Sequence, residues 1–185
     1  MHDPNFVAIK GSERVPVPGA KAVGLADADQ WLEVTLKLKR RAPLPAVDGR
    51  PARMFTHDEL TAQFGADPEA VKRVADAFAA HGLTVIATDP GTRTVKLGGP
   101  ASAMESAFQV KLMNYTHERG DYRGRVGVLQ VPSAVADVVE GVFGLDNRRA
   151  VRRKPAEPRK LLSQGAHTTS SSKRPWFFPS ELASA

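Results

Sequence analysis

Leu32, Val34, Leu36 and Leu38 alternate with Glu33, Thr35, Lys37 and Lys39. From Trp31 to Lys39 this period of two puts aliphatic side chains on one face and polar ones on the other, the mark of a half-buried strand. Arg40-Arg41-Ala42-Pro43-Leu44-Pro45 breaks it. Thr56-His57-Asp58-Glu59 then has the form of a capping box and predicts a short helix to Phe64, ended by Gly65. Asp67-Pro68 is a second helix start, an N-cap followed by Pro at the first helical position. Val71, Val74, Ala75 and Phe78 share one face of that helix, and Gly82 supplies its stop. His81, just before Gly82, suits a helix C-terminus, where a cation is favoured. Thr84 to Thr88 and Thr94 to Leu97 read as a hairpin around the turn Asp89-Pro90-Gly91-Thr92. Gly98-Gly99-Pro100 is expected to lead into a helix carrying Ala103, Met104, Ala107 and Phe108. Val110 to Tyr115 reads as a strand, Gly120 to Gly127 as a polar turn and Val128 to Val131 as an extension of the sheet. Pro132 to Phe143 reads as a last helix, with Val135, Val138, Val139 and Val142 apolar.

The core order is strand, helix, strand, strand, helix, strand. That is an α+β, ferredoxin-like split βαβ arrangement, an antiparallel sheet with helices on one face. The other face is left uncovered. By the alternation it displays Glu33, Thr35, Lys37, Thr94, Lys96, Lys111 and Met113. Residues 1–30, rich in Gly, Pro and Ala, form an extended leader, and 31–147 form the folded module. No internal repeat is evident.

Charge divides the chain differently. Nine of the 26 Lys and Arg but two of the 20 Asp and Glu lie from Arg148 onward. The tail therefore carries +7, and the remaining 17 basic and 18 acidic residues leave the module at −1. Residues 148–175, basic and rich in Pro and Ser, read as a flexible linker. Residues 176–185, opening on Trp176-Phe177-Phe178-Pro179, are apolar again and read as the start of a larger region. The near-neutral module weakens a nucleic-acid reading, which needs basic groups clustered on a folded face. With 42% hydrophobic residues the chain can bury a core. It has no cysteine, so disulfides and thiolate metal sites are excluded. No apolar run approaches the roughly 18 residues of a membrane span, and Met1 to Pro18 shows no signal-peptide pattern.

No catalytic, cofactor-binding or metal-binding set emerges. His2, His57, His81, His117 and His167 are scattered, none paired at helical spacing with another ligand. There is no Gly-x-Ser-x-Gly elbow, P-loop or Gly-x-Gly-x-x-Gly. Asp58 and Glu59 are explained by capping. Asn114-Tyr115-Thr116 matches a glycosylation acceptor but falls in a predicted strand. RNA-binding ferredoxin-like folds use aromatics on the central strands, and Trp31 is the lone candidate here. The residues thus describe a binding module, with a stand-alone RNA- or peptide-binding module as the alternative. An acylphosphatase-like hydrolase is a weaker option, since no phosphate loop is evident.

Several segments, in order and spacing, carry a resemblance. They are Gly11-Ser12-Glu13-Arg14-Val15-Pro16-Val17-Pro18-Gly19-Ala20, Lys39-Arg40-Arg41-Ala42-Pro43-Leu44-Pro45, His57-Asp58-Glu59-Leu60 through Phe64-Gly65-Ala66-Asp67-Pro68, and His81-Gly82-Leu83-Thr84-Val85. Ala107-Phe108, Tyr122-Arg123-Gly124-Arg125, Val131-Pro132 and Val139-Glu140-Gly141-Val142-Phe143-Gly144-Leu145-Asp146-Asn147-Arg148 continue them. Together they resemble the prodomain of sedolisin-type serine-carboxyl peptidases, closest to the pro-kumamolisin branch. The resemblance implies a ferredoxin-like prodomain, a linker and then a subtilisin-like catalytic domain holding a Ser-Glu-Asp triad, an oxyanion aspartate and calcium. The Gly-Thr-Ser nucleophile motif does not occur here, so no catalytic residue carries over. Phe177-Phe178-Pro179-Ser180-Glu181-Leu182-Ala183 resembles the start of such a mature enzyme. The implied role is an intramolecular chaperone and pH-dependent inhibitor, removed by autoproteolysis in the linker. The implied partner is the cognate catalytic domain, with no nucleic acid or membrane, a monomer when isolated, and an extracellular or periplasmic location. Arg148, Arg149, Arg152 and Arg153 are the expected acid-sensitive latch.

Overall fold

Alternation on one central strand organises the molecule. The computed structural model describes residues 5–45 and 54–148. The strands are β1 (Phe6–Ala8), β2 (Lys21–Leu25), β3 (Trp31–Leu38), β4 (Thr84–Asp89), β5 (Thr94–Pro100), β6 (Lys111–Thr116), β7 (Tyr122–Val126), β8 (Gln130–Pro132) and β9 (Val139–Phe143). The helices are α1 (His57–Phe64), α2 (Pro68–Ala79) and α3 (Ala101–Phe108). Pairing is antiparallel throughout these strands. It forms a four-stranded sheet in the order β4-β5-β3-β9, a three-stranded sheet β2-β6-β7 and the pair β1-β8.

Leu32, Val34, Leu36 and Leu38 of β3 are buried, together with Val95 and Leu97 of β5. They face Val74 and Phe78 of α2 and Met104, Ala107 and Phe108 of α3 in one core cluster. The Phe78 and Phe108 rings meet with centroids 5.1 Å apart. The two helices thus close one face of the four-stranded sheet, as the split βαβ reading expects. Their starts follow the local signals. Glu59 N–H donates to Thr56 Oγ1 at 3.2 Å and Thr56 N–H to Glu59 Oε2 at 2.9 Å, completing the capping box. Asp67 caps α2 ahead of Pro68. Gly82, at φ 79°, takes the left-handed turn after that helix.

Four local expectations are corrected. Residues 132–143 do not form a helix; a single 3-10 turn at Ser133–Val135 leads into strand β9. Val135, Val138, Val139 and Val142 have helical spacing, but valine and Gly141 are weak helix formers. The backbone groups of β3 from Thr35 to Leu38 offer a sheet edge, which β9 pairs. Because β9 fills that edge, β6 joins the second sheet, with Leu112 still pointing into the common core.

Residues 120–127 are not all turn, since 122–126 form β7 against β6. The strand expected to end at Leu97 runs on through Gly98-Gly99-Pro100, which closes β5 and leads directly into α3 with Pro100 at its N-cap. This segment pairs with Trp31, Leu32 and Glu33, and a side chain at position 98 would have to displace those of Ile86 and Trp31. Finally, residues 130–132 pair with the leader rather than extending the main sheet, and a second piece of the leader pairs with β6.

Candidate functional site

The face of the four-stranded sheet opposite the helices carries the odd-numbered side chains of β3. The register places Glu33 opposite Gly98, Thr35 opposite Lys96 and Lys37 opposite Thr94. Glu33, Thr35, Lys37, Thr94 and Lys96, five of the seven residues expected on an uncovered face, therefore do share one. Lys96 Nζ lies 3.1 Å from Glu33 Oε2, and Lys37 Nζ donates to the Thr92 carbonyl. These bonds hold the long side chains along the sheet surface.

Lys111 and Met113 are placed elsewhere. They lie on β6 in the three-stranded sheet, because β9 takes the edge that β6 was expected to fill. Lys111 Nζ is 3.4 Å from Glu105 Oε2, and Met113 sits opposite Gly124 and Leu25.

Three large apolar side chains complete the face. Trp31 is 59% exposed, Phe143 61% and Ile86 44%, too open for any of them to be core. Thr35 pairs with Phe143, which brings that ring beside the polar stripe. At the other end the register slips between Val85 and Ala87, leaving Ile86 as the extra residue of a bulge in β4. Its side chain and that of Trp31 close over Gly98. A Cβ on Gly98 would lie 2.6 Å from Ile86 Cδ1 and 2.8 Å from Trp31 Cζ2. The face is thus a polar stripe with a Trp–Ile patch at one end and a Phe at the other. Exposed aromatic side chains of this kind are enriched at protein-binding surfaces. Trp31 was legible as an aromatic on a central strand. Ile86 and Phe143 were not, because a bulge and a long-range pairing turn them outward.

The three-stranded sheet shows the opposite treatment. Tyr115 and Tyr122 stack with centroids 5.1 Å apart and planes within 12°. The leader crosses them. Val17 N–H donates to Tyr122 Oη at 3.0 Å, Leu129 N–H donates to Ser12 Oγ at 3.0 Å, and Arg125 donates to the Ser12 carbonyl. Arg148 lies over the Tyr122 ring, 5.5 Å from its centroid. It donates to the Val15 carbonyl at 2.7 Å and to Asp146 Oδ2 at 2.6 Å. The Asp146 carboxylate bonded to it holds the Arg148 guanidinium charged still more firmly than usual, ahead of burial, which opposes this. Of the expected latch, Arg148 therefore fastens the module's own leader. Arg149, Arg152 and Arg153 lie outside the described residues.

Among the described residues, no three His, Cys, Asp or Glu side chains gather in one place. No helix among the described residues is long and apolar enough to cross a membrane. Asn114 and Tyr115 sit within β6, with Tyr115 buried. The His81 ring packs against Phe6 at 5.7 Å.

Comparison with known proteins places the chain in a family. The family described as "Pro-kumamolisin, activation domain" matches residues 49–148. Kumamolisin of Bacillus sp. (strain MN-32) is 33% identical over 153 residues, 78% of this chain and 28% of that protein. The chain thus spans little more than a quarter of this relative's length.

Proposed function

Because this chain belongs to the pro-kumamolisin activation-domain family, we propose that it is the propeptide of an acid-activated serine-carboxyl endopeptidase. In this reading it is an intramolecular chaperone and pH-dependent inhibitor, removed by autoproteolysis within 148–175. The observation that carries the reading is the bare outer face, with Trp31, Ile86 and Phe143 standing open around the Glu33–Lys96 pair. The catalytic domain docks there, so the module contributes a surface and the peptidase contributes the chemistry.

The physics suits that division. A protease domain with long-range strand pairing folds slowly, and a preformed sheet face lowers the barrier by acting as a template. A tether makes docking intramolecular, at an effective concentration on the order of millimolar. A basic, Ser-rich linker is a good substrate for cleavage. Ion pairs between module or linker cations and peptidase carboxylates weaken as those carboxylates protonate, near pH ~4 for ordinary groups. Lys37 on the face, and Arg149, Arg152 and Arg153 in the linker, are the cations assigned to this role, since Lys96 is held by Glu33. Arg148 is already engaged by Asp146. The family's expected setting is extracellular or periplasmic, with calcium held in the catalytic domain.

The test is to mix the chain with a mature kumamolisin-type peptidase and measure inhibition of peptide cleavage from pH 3 to 7. Tight inhibition near neutrality that fades in acid supports the proposal. Absence of inhibition at every pH overturns it.

A further inference from the structure

Next to Phe143, where the bare face meets the leader, lies a cavity of about 180 Å³. Its polar lining is lopsided. Lys10, Arg14 and Arg125 contribute three cations, and Glu140 contributes the one carboxylate. Glu140 is already committed, with Oε2 2.9 Å from Arg93 Nη1. Among the described residues, no carboxylate comes within ion-pair distance of Lys10, Arg14 or Arg125. Arg125 is 7% exposed, and its bonds go to the carbonyls of Ser12 and Gly127, which are neutral acceptors.

Burial, and then the neighbouring Arg14, make the charged form of Arg125 less favourable than usual. Asp146 and Glu13 pull the other way, and Arg148 adds to the repulsion. A nearly buried guanidinium beside a second cation, bonded only to neutral oxygens, is a place where an anion gains strongly.

We propose that this cavity receives an Asp or Glu carboxylate of the peptidase catalytic domain as that domain docks on the bare face. The inference rests on the docking reading and deepens it by assigning the face an anionic anchor. Two features select a protein carboxylate. The cavity is of side-chain size, smaller than the sites that take cofactors. It is also lined by Phe143, a residue of the proposed docking surface, so a partner lying on that surface comes beside it. Lys10 and Arg14 are exposed, and they would guide the carboxylate toward Arg125 and fix the register of the complex.

The test compares full-length wild type with the double variant Lys10→Glu, Arg14→Glu as inhibitors of a mature kumamolisin-type peptidase at pH 6.5, in low and high salt. A control double variant, Lys72→Glu, Arg119→Glu, makes the same change in net charge at exposed positions off the face. The expected result is inhibition at least tenfold weaker for the cavity variant, with a flatter salt dependence, and near wild-type inhibition for the control. The milder pair Lys10→Gln, Arg14→Gln should fall between, and it replaces the reversal pair if thermal melting shows that pair misfolded. A cavity variant that inhibits like wild type, or a control that loses as much, overturns the anchor and leaves the docking reading standing. Wild type that does not inhibit at all overturns the docking reading, and the anchor with it.

Discussion

Two sheets of this molecule turn a face away from the common core, and their outward faces are finished in opposite ways. On the three-stranded sheet the Tyr115–Tyr122 stack is covered by the chain itself. The leader crosses it, bonded at Ser12, Val15 and Val17, and Arg148 closes over the ring. On the four-stranded sheet Trp31, Ile86 and Phe143 remain open. Both faces carry aromatics, so composition does not separate them. The difference is whether the aromatics are satisfied within the chain. Tyr115 is 5% and Tyr122 8% exposed, against 59% and 61% for Trp31 and Phe143. The first face contributes to stability, and the second is the face proposed to meet another molecule.

Substitutions that remove each face should therefore have separable consequences. Tyr122→Ala removes the ring stack, the Val17 bond and the platform under Arg148. It should lower unfolding stability by about 3 kcal/mol, read by urea denaturation, while the molecules that remain folded inhibit normally. The double variant Trp31→Ala, Phe143→Ala should weaken peptidase inhibition on the order of 100-fold and leave stability within about 0.5 kcal/mol, because both side chains already face solvent. A loss of stability comparable to that of Tyr122→Ala would show that the bare face is structural after all.

Arg148→Ala should cost about 1–2 kcal/mol through its Asp146 and Val15 bonds. It should also speed amide exchange in residues 12–18, measured by NMR. Unchanged exchange there would mean the leader is held without Arg148.

The smallest effect concerns acid. The Asp137 carboxyl is held below the usual carboxylate range, first by its hydrogen bond from Arg73. Asp89 is lowered likewise, first by the backbone N–H of Thr92. A depressed carboxyl contributes stability above its unfolded value of about 3.9, which is lost as pH falls through the lower folded value. Asp137→Asn should flatten the fall in melting temperature below pH ~4, and only slightly, because the pair is exposed and screened. An identical acid slope in wild type and variant would remove Asp137 from the account.

Much of this fold is written locally. β3 follows from strict alternation, α1 and α2 from Thr56, Glu59, Asp67 and Pro68, and the β4–β5 hairpin from its turn residues. The polar half of the candidate face, from Glu33 to Lys96, was legible by the same alternation. Its apolar half was not. Phe143 belonged to a stretch of valines at helical spacing, and Ile86 reaches the face only through a bulge. β7 was hidden for another reason. Tyr122-Arg123-Gly124-Arg125 reads as polar turn, yet Arg123 and Arg125 are buried because carbonyls of the leader and of residues 144–145 accept their bonds.

What the sequence determined by itself was the identity and order of the elements whose signals act within a few residues, and with them the α+β class. What only tertiary structure decided was which strand took the open edge of β3, and hence which aromatics were covered and which were left bare. An edge of unpaired N–H and C=O groups is satisfied by whichever segment reaches it with matching register. That competition between β6 and β9 is settled across the whole chain, where local periodicity carries no information.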